Sequence, residues 1–151
     1  MDNLHIVTVA NKEYMYFPYL KQSCQKHGKQ LTVLGMNTEW TGLNSKFAYM
    51  ISYMRTLPKN DLICFIDGFD VICTRQLNEL PKMFEYLQKK HNIKMILADN
   101  IYVNPLFYIS HSIYYARCQK KYVNSGTYIG KVKDVLYAIE NSYSLNNKHK
   151  T

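Results

Sequence analysis

Two aspartates at the end of an apolar run are the residues of this 151-residue sequence whose types and spacing best suit chemistry. Asp67 and Asp70 follow residues 62–66, which are all apolar. Two carboxylates that a Gly-containing turn brings together repel each other unless a cation lies between them, and Mg²⁺ and Mn²⁺ prefer such oxygen ligands. The pattern therefore indicates a divalent metal that carries a phosphate. The alternative is an ordinary Asp-Gly turn followed by a helix-capping aspartate.

The apolar run itself predicts the strand that positions both carboxylates. A short apolar run bounded by polar residues is typical of a strand buried on both faces in the middle of a parallel sheet. In open α/β sheets, ligands bind in the crevice beyond the carboxyl ends of the strands. Asp67 and Asp70 would emerge into that crevice.

Strands and helices are predicted to alternate through the first hundred residues. This alternation argues for an α/β fold in which a mainly parallel sheet has helices on both sides, joined by right-handed crossovers. A long segment without clear period, residues 101–120, is expected to be a functional or mobile loop. The predicted strands cover residues 4–10, 30–34, 62–66, 93–98 and the surroundings of an Asn-Ser-Gly turn at 124–126, and the predicted helices cover about residues 14–27, 46–57, 76–91 and 132–143.

Length and charge limit the classes of function. A chain of 151 residues is expected to form a single domain with its own core. The net charge of +8 could indicate a nucleic-acid partner, but the lysines are dispersed and no block of five like charges occurs. We therefore expect a solubilising surface that favours anionic ligands, and no nucleic-acid partner. A basic α/β domain that binds RNA is the weaker alternative.

Cysteine spacing and hydropathy bear on the compartment. The cysteines form no C-x-x-C pair, so a zinc site is not expected and reduced thiols are favoured. The sequence shows no signal-peptide pattern and no 18-residue apolar run that would span a membrane. The expected location is the cytoplasm; otherwise the sequence leaves the location unknown. The four cysteines are Cys24, Cys64, Cys73 and Cys118.

An ordered set of motifs covers essentially the whole chain. It comprises an opening V-T-V-A strand, a W-x-G loop, the strand that ends in D-x-x-D, and a later N-S-G segment. This set resembles the glycosyltransferase domain of the procollagen lysyl hydroxylase/glycosyltransferase enzymes, which has a nucleotide-sugar-binding GT-A fold. The matching stretches are residues 6–10, 33–35, 39–42, 67–72 and 121–130.

The resemblance implies a metal site and a donor site. Asp67 and Asp70 would hold Mn²⁺, with Mg²⁺ as the alternative, and the ion would bridge the diphosphate of UDP-glucose or UDP-galactose. Phe69 would stack on uracil, without the hydroxyl group of the family's usual tyrosine. Val9 and Asn11, at the end of the first strand, would contact the uridine.

The resemblance also implies donor contacts on the second helix and the loop before it. Lys46 matches the lysine that reaches the phosphates, although it could equally be a solvated lysine at the start of a helix capped by Ser45. Trp40 could lie over the donor, although a lone tryptophan is more often a core or loop anchor.

Five further residues would face the sugar and its acceptor. Asn124, Ser125 and Gly126 resemble the turn that approaches the sugar, where glycine permits close backbone contact; without the family they would be an ordinary turn. Asp99 or Asn100 stands where the family has an acidic residue facing the acceptor. Asp99 could act as a general base for an acceptor hydroxyl, or it could be a solvated carboxylate at a strand end.

The end of the chain departs from the family pattern. The family has an acidic D-D-Q segment and, further downstream, a histidine that completes the metal shell, whereas His149 is not in the matching position. We expect residues 1–151 to be one glycosyltransferase-like domain that lacks the C-terminal part of the family domain. Water molecules can fill the remaining positions around a hard cation.

Two functions from different classes follow from these observations. The first is a metal-dependent transfer of a hexose from UDP-glucose or UDP-galactose to a collagen-like, hydroxylysine-linked acceptor. The second is a catalytically impaired module or pseudoenzyme that binds a UDP-sugar without turnover.

Overall fold

The computed structural model describes residues 3–99 and 123–148. Strands β1 to β5 span Leu4–Val9, Leu31–Leu34, Leu62–Ile66, Met95–Asp99 and Val123–Lys131. Helices α1 to α4 span Phe17–Lys26, Leu43–Met54, Leu80–His91 and Val132–Lys148, and a short 3₁₀ turn at Leu77–Glu79 precedes α3. Among the described residues, no helix is both long and apolar enough to cross a bilayer.

The five strands form one sheet in the order β2-β1-β3-β5-β4. Strand β1 pairs in parallel with β2 and β3, whereas β5 runs antiparallel between β3 and β4. Four strands therefore point the same way, and the predicted mixed α/β fold with a mainly parallel sheet is confirmed. This architecture is consistent with a GT-A-like domain.

Helices cover both faces of the sheet, as predicted. All five residues of β3 are buried, and successive side chains point to opposite faces. Burying a side chain the size of leucine or phenylalanine contributes about 1.5–3 kcal/mol, so the two layers fix β3 firmly. One layer contains Leu62, Cys64 and Ile66 with Leu20, Cys24 and Phe84, and the other contains Ile63 and Phe65 with Met50, Met54 and Val135.

Two helices begin at other residues than the sequence predicted. Helix α1 begins only at Phe17, because Pro18 suits the first turn of a helix and Met15 has a left-handed backbone with φ 50°. Helix α2 begins at Leu43, with Gly42 as its N-cap. Ser45 is therefore not the cap: its hydroxyl lies within the first turn and donates to the carbonyl of Gly42.

Candidate functional site

The carboxyl end of β3 delivers Asp67 to an edge of the sheet where other strands also contribute. The backbone N–H of Asp67 donates to the carbonyl of Gly126 in β5 over 2.7 Å. The neighbouring parallel strand β1 ends at Val9, and β4 ends at Asp99. The topology thus brings several residues that the sequence singled out to one edge of the sheet.

Lys46, in the second turn of α2, approaches the carboxylate of Asp67. Its Nζ atom lies 3.8 Å from Asp67 Oδ2 and 4.3 Å from the centroid of the Phe65 ring. The Lys46 side chain is only 14% exposed, against 36% for that of Asp67. Burial lowers the pKa of Lys46, while the charges of Asp67 and Asp70 act to raise it. Both carboxylates therefore act on the ammonium group of Lys46, which is shielded from solvent. Lys46 is not the freely solvated lysine of the alternative interpretation.

Close packing against β1 holds the turn between the two aspartates. A Cβ atom on Gly68 would lie 3.1 Å from Thr8 Oγ1 and 3.4 Å from Ala10 Cβ. A larger residue at this position would push the turn away from the sheet. Thr8 Oγ1 is buried and has no hydrogen-bond partner within the described part of the chain.

Phe69 is half-buried and lies against the segment that precedes α1. Its carbonyl accepts a hydrogen bond from the N–H of Tyr16 over 3.2 Å. Its ring meets that of Tyr14 edge on, with 6.2 Å between the ring centroids. Sequence reasoning missed Tyr14, because no local pattern connects it with a residue 55 positions away. The two rings together form an aromatic surface beside Asp70.

The two residues assigned to the uridine sit at the end of β1. Val9 is buried, so it can offer a ligand only backbone atoms. Asn11 is half-buried, and its carbonyl accepts a hydrogen bond from the N–H of Asn37 over 2.9 Å. That bond ties the end of β1 to the loop that follows β2.

The predicted Asn-Ser-Gly turn is wrong: Asn124, Ser125 and Gly126 belong to the continuous strand β5. The register of the β4–β5 pair shifts between Leu97 and Ala98, which leaves residues 125–127 as a bulge. Asn124 Oδ1 accepts a hydrogen bond from the Gly126 N–H over 2.7 Å.

Gly126 lies directly beside Asp67. A Cβ atom on Gly126 would lie 2.8 Å from Asn124 Oδ1 and 3.6 Å from Asp67 Oδ2. The bulge thus brings the backbone of Gly126 close to the carboxylate of Asp67. β-Bulges commonly occur next to functional sites. Glycine is needed at this position because a Cβ atom would crowd Asn124 Oδ1. The close contact with the sugar that the sequence suggested for Gly126 stays a prediction.

For two of the remaining predicted residues, Asp99 and Trp40, the structure gives the exposure and the position in the fold. Asp99 is exposed at the carboxyl end of β4, in register with Val123. Trp40 is 43% exposed in the loop before α2, which excludes a core role for its ring. Asn100, the segment 101–120 and His149 lie outside the described residues.

The carboxylates at this edge of the sheet suit a hard divalent cation, but they would provide only part of its ligands. Asp67 and Asp70 would supply two oxygen ligands, and Mn²⁺ or Mg²⁺ bound by few carboxylates usually completes its shell with phosphate oxygens and water. Among the described residues, no group of three His, Cys, Asp or Glu side chains could hold a metal ion.

Comparison with known proteins gives a family match over nearly the whole chain. The family model described as the PLOD GT domain matches residues 1–150. Procollagen-lysine,2-oxoglutarate 5-dioxygenase 1 of Gallus gallus is 26% identical over 149 residues, which cover 92% of this chain and 20% of that protein. Procollagen-lysine,2-oxoglutarate 5-dioxygenase 2 of Homo sapiens is 30% identical over 139 residues, which cover 85% of this chain and 18% of that protein.

A viral protein is also similar. An uncharacterized protein of Acanthamoeba polyphaga mimivirus is 23% identical over 126 residues, which cover 78% of this chain and 27% of that protein. The chain spans about a fifth of the length of the two dioxygenases that it matches.

Proposed function

The chain belongs to the family of PLOD glycosyltransferase domains, and from that premise we propose that it transfers a hexose from UDP-glucose or UDP-galactose with the help of a divalent metal. The observation that carries the proposal is the position of Lys46, 3.8 Å from Asp67 at the carboxyl end of β3. A shielded cation beside two carboxylates is suited to a ligand that brings both negative charge and a metal ion.

The diphosphate end of the donor is assigned to Asp67, Asp70 and Lys46. Mn²⁺, or Mg²⁺, held by the two aspartates supplies charge stabilisation for a diphosphate leaving group. Lys46 directs a second positive charge at the phosphate oxygens, and its low exposure strengthens that attraction. Because α2 and β3 are both fixed by the core, this charge is oriented before the ligand arrives.

The nucleoside and sugar ends are assigned to the surrounding backbone and rings. Phe69 offers the uracil base a ring held in place by the Tyr16 backbone and the Tyr14 ring. Backbone atoms of Val9 and Asn11 are assigned to the uridine, and the exposed Trp40 ring is assigned to a position over the donor. The hexose is assigned to the backbone at Asn124, Ser125 and Gly126, where Gly126 places no side chain of its own beside Asp67.

The proposal for the acceptor rests on the names of the similar proteins and on the position of Asp99. The names of the similar dioxygenases concern procollagen lysine, so the proposed acceptor is a hydroxylysine-linked group on a collagen-like chain. Asp99, exposed at the same edge of the sheet, would take the proton from the attacking hydroxyl. Asn100 is the alternative position for this acceptor-facing group.

One observation favours a second function, UDP-sugar binding without turnover. Among the described residues no group of three His, Cys, Asp or Glu side chains could hold a metal ion, so the ion would depend on the two aspartates of the D-x-x-D motif. A weakly held metal would still support donor binding while it slowed transfer. UDP binding without release of free hexose or a glycosylated acceptor would identify this second function.

The proposal is tested by calorimetric titration of UDP into the protein with Mn²⁺ and with EDTA. Binding is expected with Mn²⁺ and is expected to be lost with EDTA and in the Asp67→Ala, Asp70→Ala double variant. Glu85→Ala is the matched control, because Glu85 lies exposed on α3, where it pairs with Lys89. Equal UDP affinity with and without metal would contradict the roles of both aspartates.

A further inference from the structure

Two cysteines on different elements bring their sulfur atoms together away from the donor site. Cys24, in α1, and Cys73, which follows Asp70 by three residues, have Sγ atoms 3.5 Å apart. A disulfide bond is about 2.05 Å long, so small rotations of the two side chains would bring the atoms to bonding distance. In this structure both are thiols.

The backbone around the pair is held by hydrogen bonds. The N–H of Cys73 donates to Ser23 Oγ over 3.0 Å, and the Ser23 hydroxyl donates to the carbonyl of Leu20 over 2.9 Å. Because Ser23 adjoins Cys24 in α1, these bonds fix the segment after the D-x-x-D motif against the helix. The short Sγ separation therefore follows from a defined contact between two elements.

The two thiols differ in access to solvent. Cys24 is fully buried, whereas Cys73 is half-buried and lines a surface cavity of about 610 Å³. A small molecule can thus reach Cys73 first.

The two thiols also differ in acidity. The hydrogen bond from Cys24 lowers the pKa of Cys73 to about 7, against the opposing effect of burial. The same hydrogen bond, followed by burial, raises the pKa of Cys24. The thiolate is the nucleophilic form of cysteine, and the more accessible member of the pair is also the one with the lower pKa.

We propose that Cys24 and Cys73 form a thiol–disulfide exchange site that is oxidised by a small-molecule disulfide such as oxidised glutathione. The Cys73 thiolate attacks one sulfur of the oxidant, the S–S bond of the oxidant breaks, and one glutathione thiolate leaves. Cys24 then loses its proton and attacks the Cys73 sulfur, which releases the second glutathione thiolate. The two cysteines are oxidised, the oxidant is reduced to two thiols, and the two cysteine protons pass to the departing thiolates.

This site is separate from the proposed transfer reaction, since neither cysteine is among the donor or metal contacts. Its product would tie α1 covalently to the segment that leaves Asp70. The proposal would therefore stand even if the chain bound no UDP.

The test is peptide mapping of the folded protein after incubation with oxidised glutathione. Free thiols are blocked with N-ethylmaleimide, and the protein is digested with trypsin and then with Asp-N protease. Trypsin alone would leave Cys64 and Cys73 in one peptide, 60–75, whereas cleavage before Asp67 and Asp70 separates them. We expect peptide 22–26 linked to peptide 70–75, with a mass lower than the sum of the two thiol peptides by two hydrogen atoms.

Two variants test the order of the steps. Cys24→Ser is expected to stop at a mixed disulfide between glutathione and Cys73, whereas Cys73→Ser is expected to leave Cys24 unmodified. Cys118→Ser is the control that should retain the linked peptide. A link to Cys64 or Cys118, or no link in a protein that is folded by circular dichroism, would overturn the proposal.

Discussion

Lys46 keeps its ammonium group largely out of water, between the Phe65 ring and Asp67. Burying a charge costs free energy unless it is paired, and here burial lowers the pKa of the lysine while Asp67 acts to raise it. A diphosphate beside Lys46 would supply further negative charge. A bound nucleotide would therefore compensate the shielded charge of Lys46 further than Asp67 does alone.

We expect Lys46→Met to weaken UDP binding by about 10- to 100-fold, since a hydrogen bond to a charged group contributes about 1.5–3 kcal/mol. Calorimetry in the presence of Mn²⁺ measures the change in affinity. Lys82→Met, on the exposed surface of α3, removes the same charge at a distance and is expected to bind UDP normally. An equal loss of UDP affinity in both variants would mean that only the net charge matters. It would contradict the proposed contact between Lys46 and the phosphates.

The acidity of Cys73 gives a second prediction at this scale. With a pKa of about 7, the thiolate fraction rises about tenfold between pH 6 and pH 8 and then levels off. The rate of alkylation by iodoacetamide is expected to follow that curve, as measured by short pulses and mass spectrometry of peptide 70–75. An alkylation rate that still rose about threefold between pH 8 and pH 9 would indicate an ordinary thiol, whose pKa is about 8.5.

Strand β5 joins the core to the candidate site, because it pairs with β3 and β4 along its length. Two of its glycines are closely packed for different reasons. A Cβ atom on Gly130 would meet Val135 Cγ2 at 2.8 Å and the Lys94 carbonyl at 3.1 Å, whereas one on Gly126 would meet the movable side chain of Asn124. Gly130, near one end of β5, is thus packed against the core, whereas Gly126, near the other end, lies beside Asp67.

These two glycines form a matched pair of variants. Gly130→Ala is expected to destabilise the protein by about 1–3 kcal/mol, as overpacking of a core does, while UDP affinity is kept. Gly126→Ala is expected to cost less stability but to weaken UDP binding, because the Asn124 side chain and the new methyl group compete for space beside the site. Urea denaturation and calorimetry separate the two effects, and identical profiles for both variants would argue against a special role for the bulge.

For the molecule as a whole, the sequence predicted what depends on local patterns. Five apolar residues in succession were enough to predict the central strand, whose carboxyl end carries the two aspartates. The metal and donor roles of those aspartates stay predictions. The antiparallel insertion of β5 was not predictable, because it depends on pairing between distant segments. The bulge at Asn124, which replaces a predicted turn, has the same origin. The contact between Cys24 and Cys73 joins residues 49 positions apart, so no local pattern records it.

That separation also sets the expected effect of oxidation on the whole fold. A bond between Cys24 and Cys73 would close a loop of about 49 residues in the unfolded chain, and the chain-entropy model assigns such a loop about 4 kcal/mol of stabilisation. We expect urea denaturation of the oxidised protein to show a midpoint well above that of the protein in dithiothreitol. In Cys24→Ser and Cys73→Ser the midpoint should not respond to the oxidant. If the mapped disulfide formed and the midpoint stayed the same or fell, the bond would have to strain the native contact between α1 and the segment after Asp70 by as much as it restricts the unfolded chain.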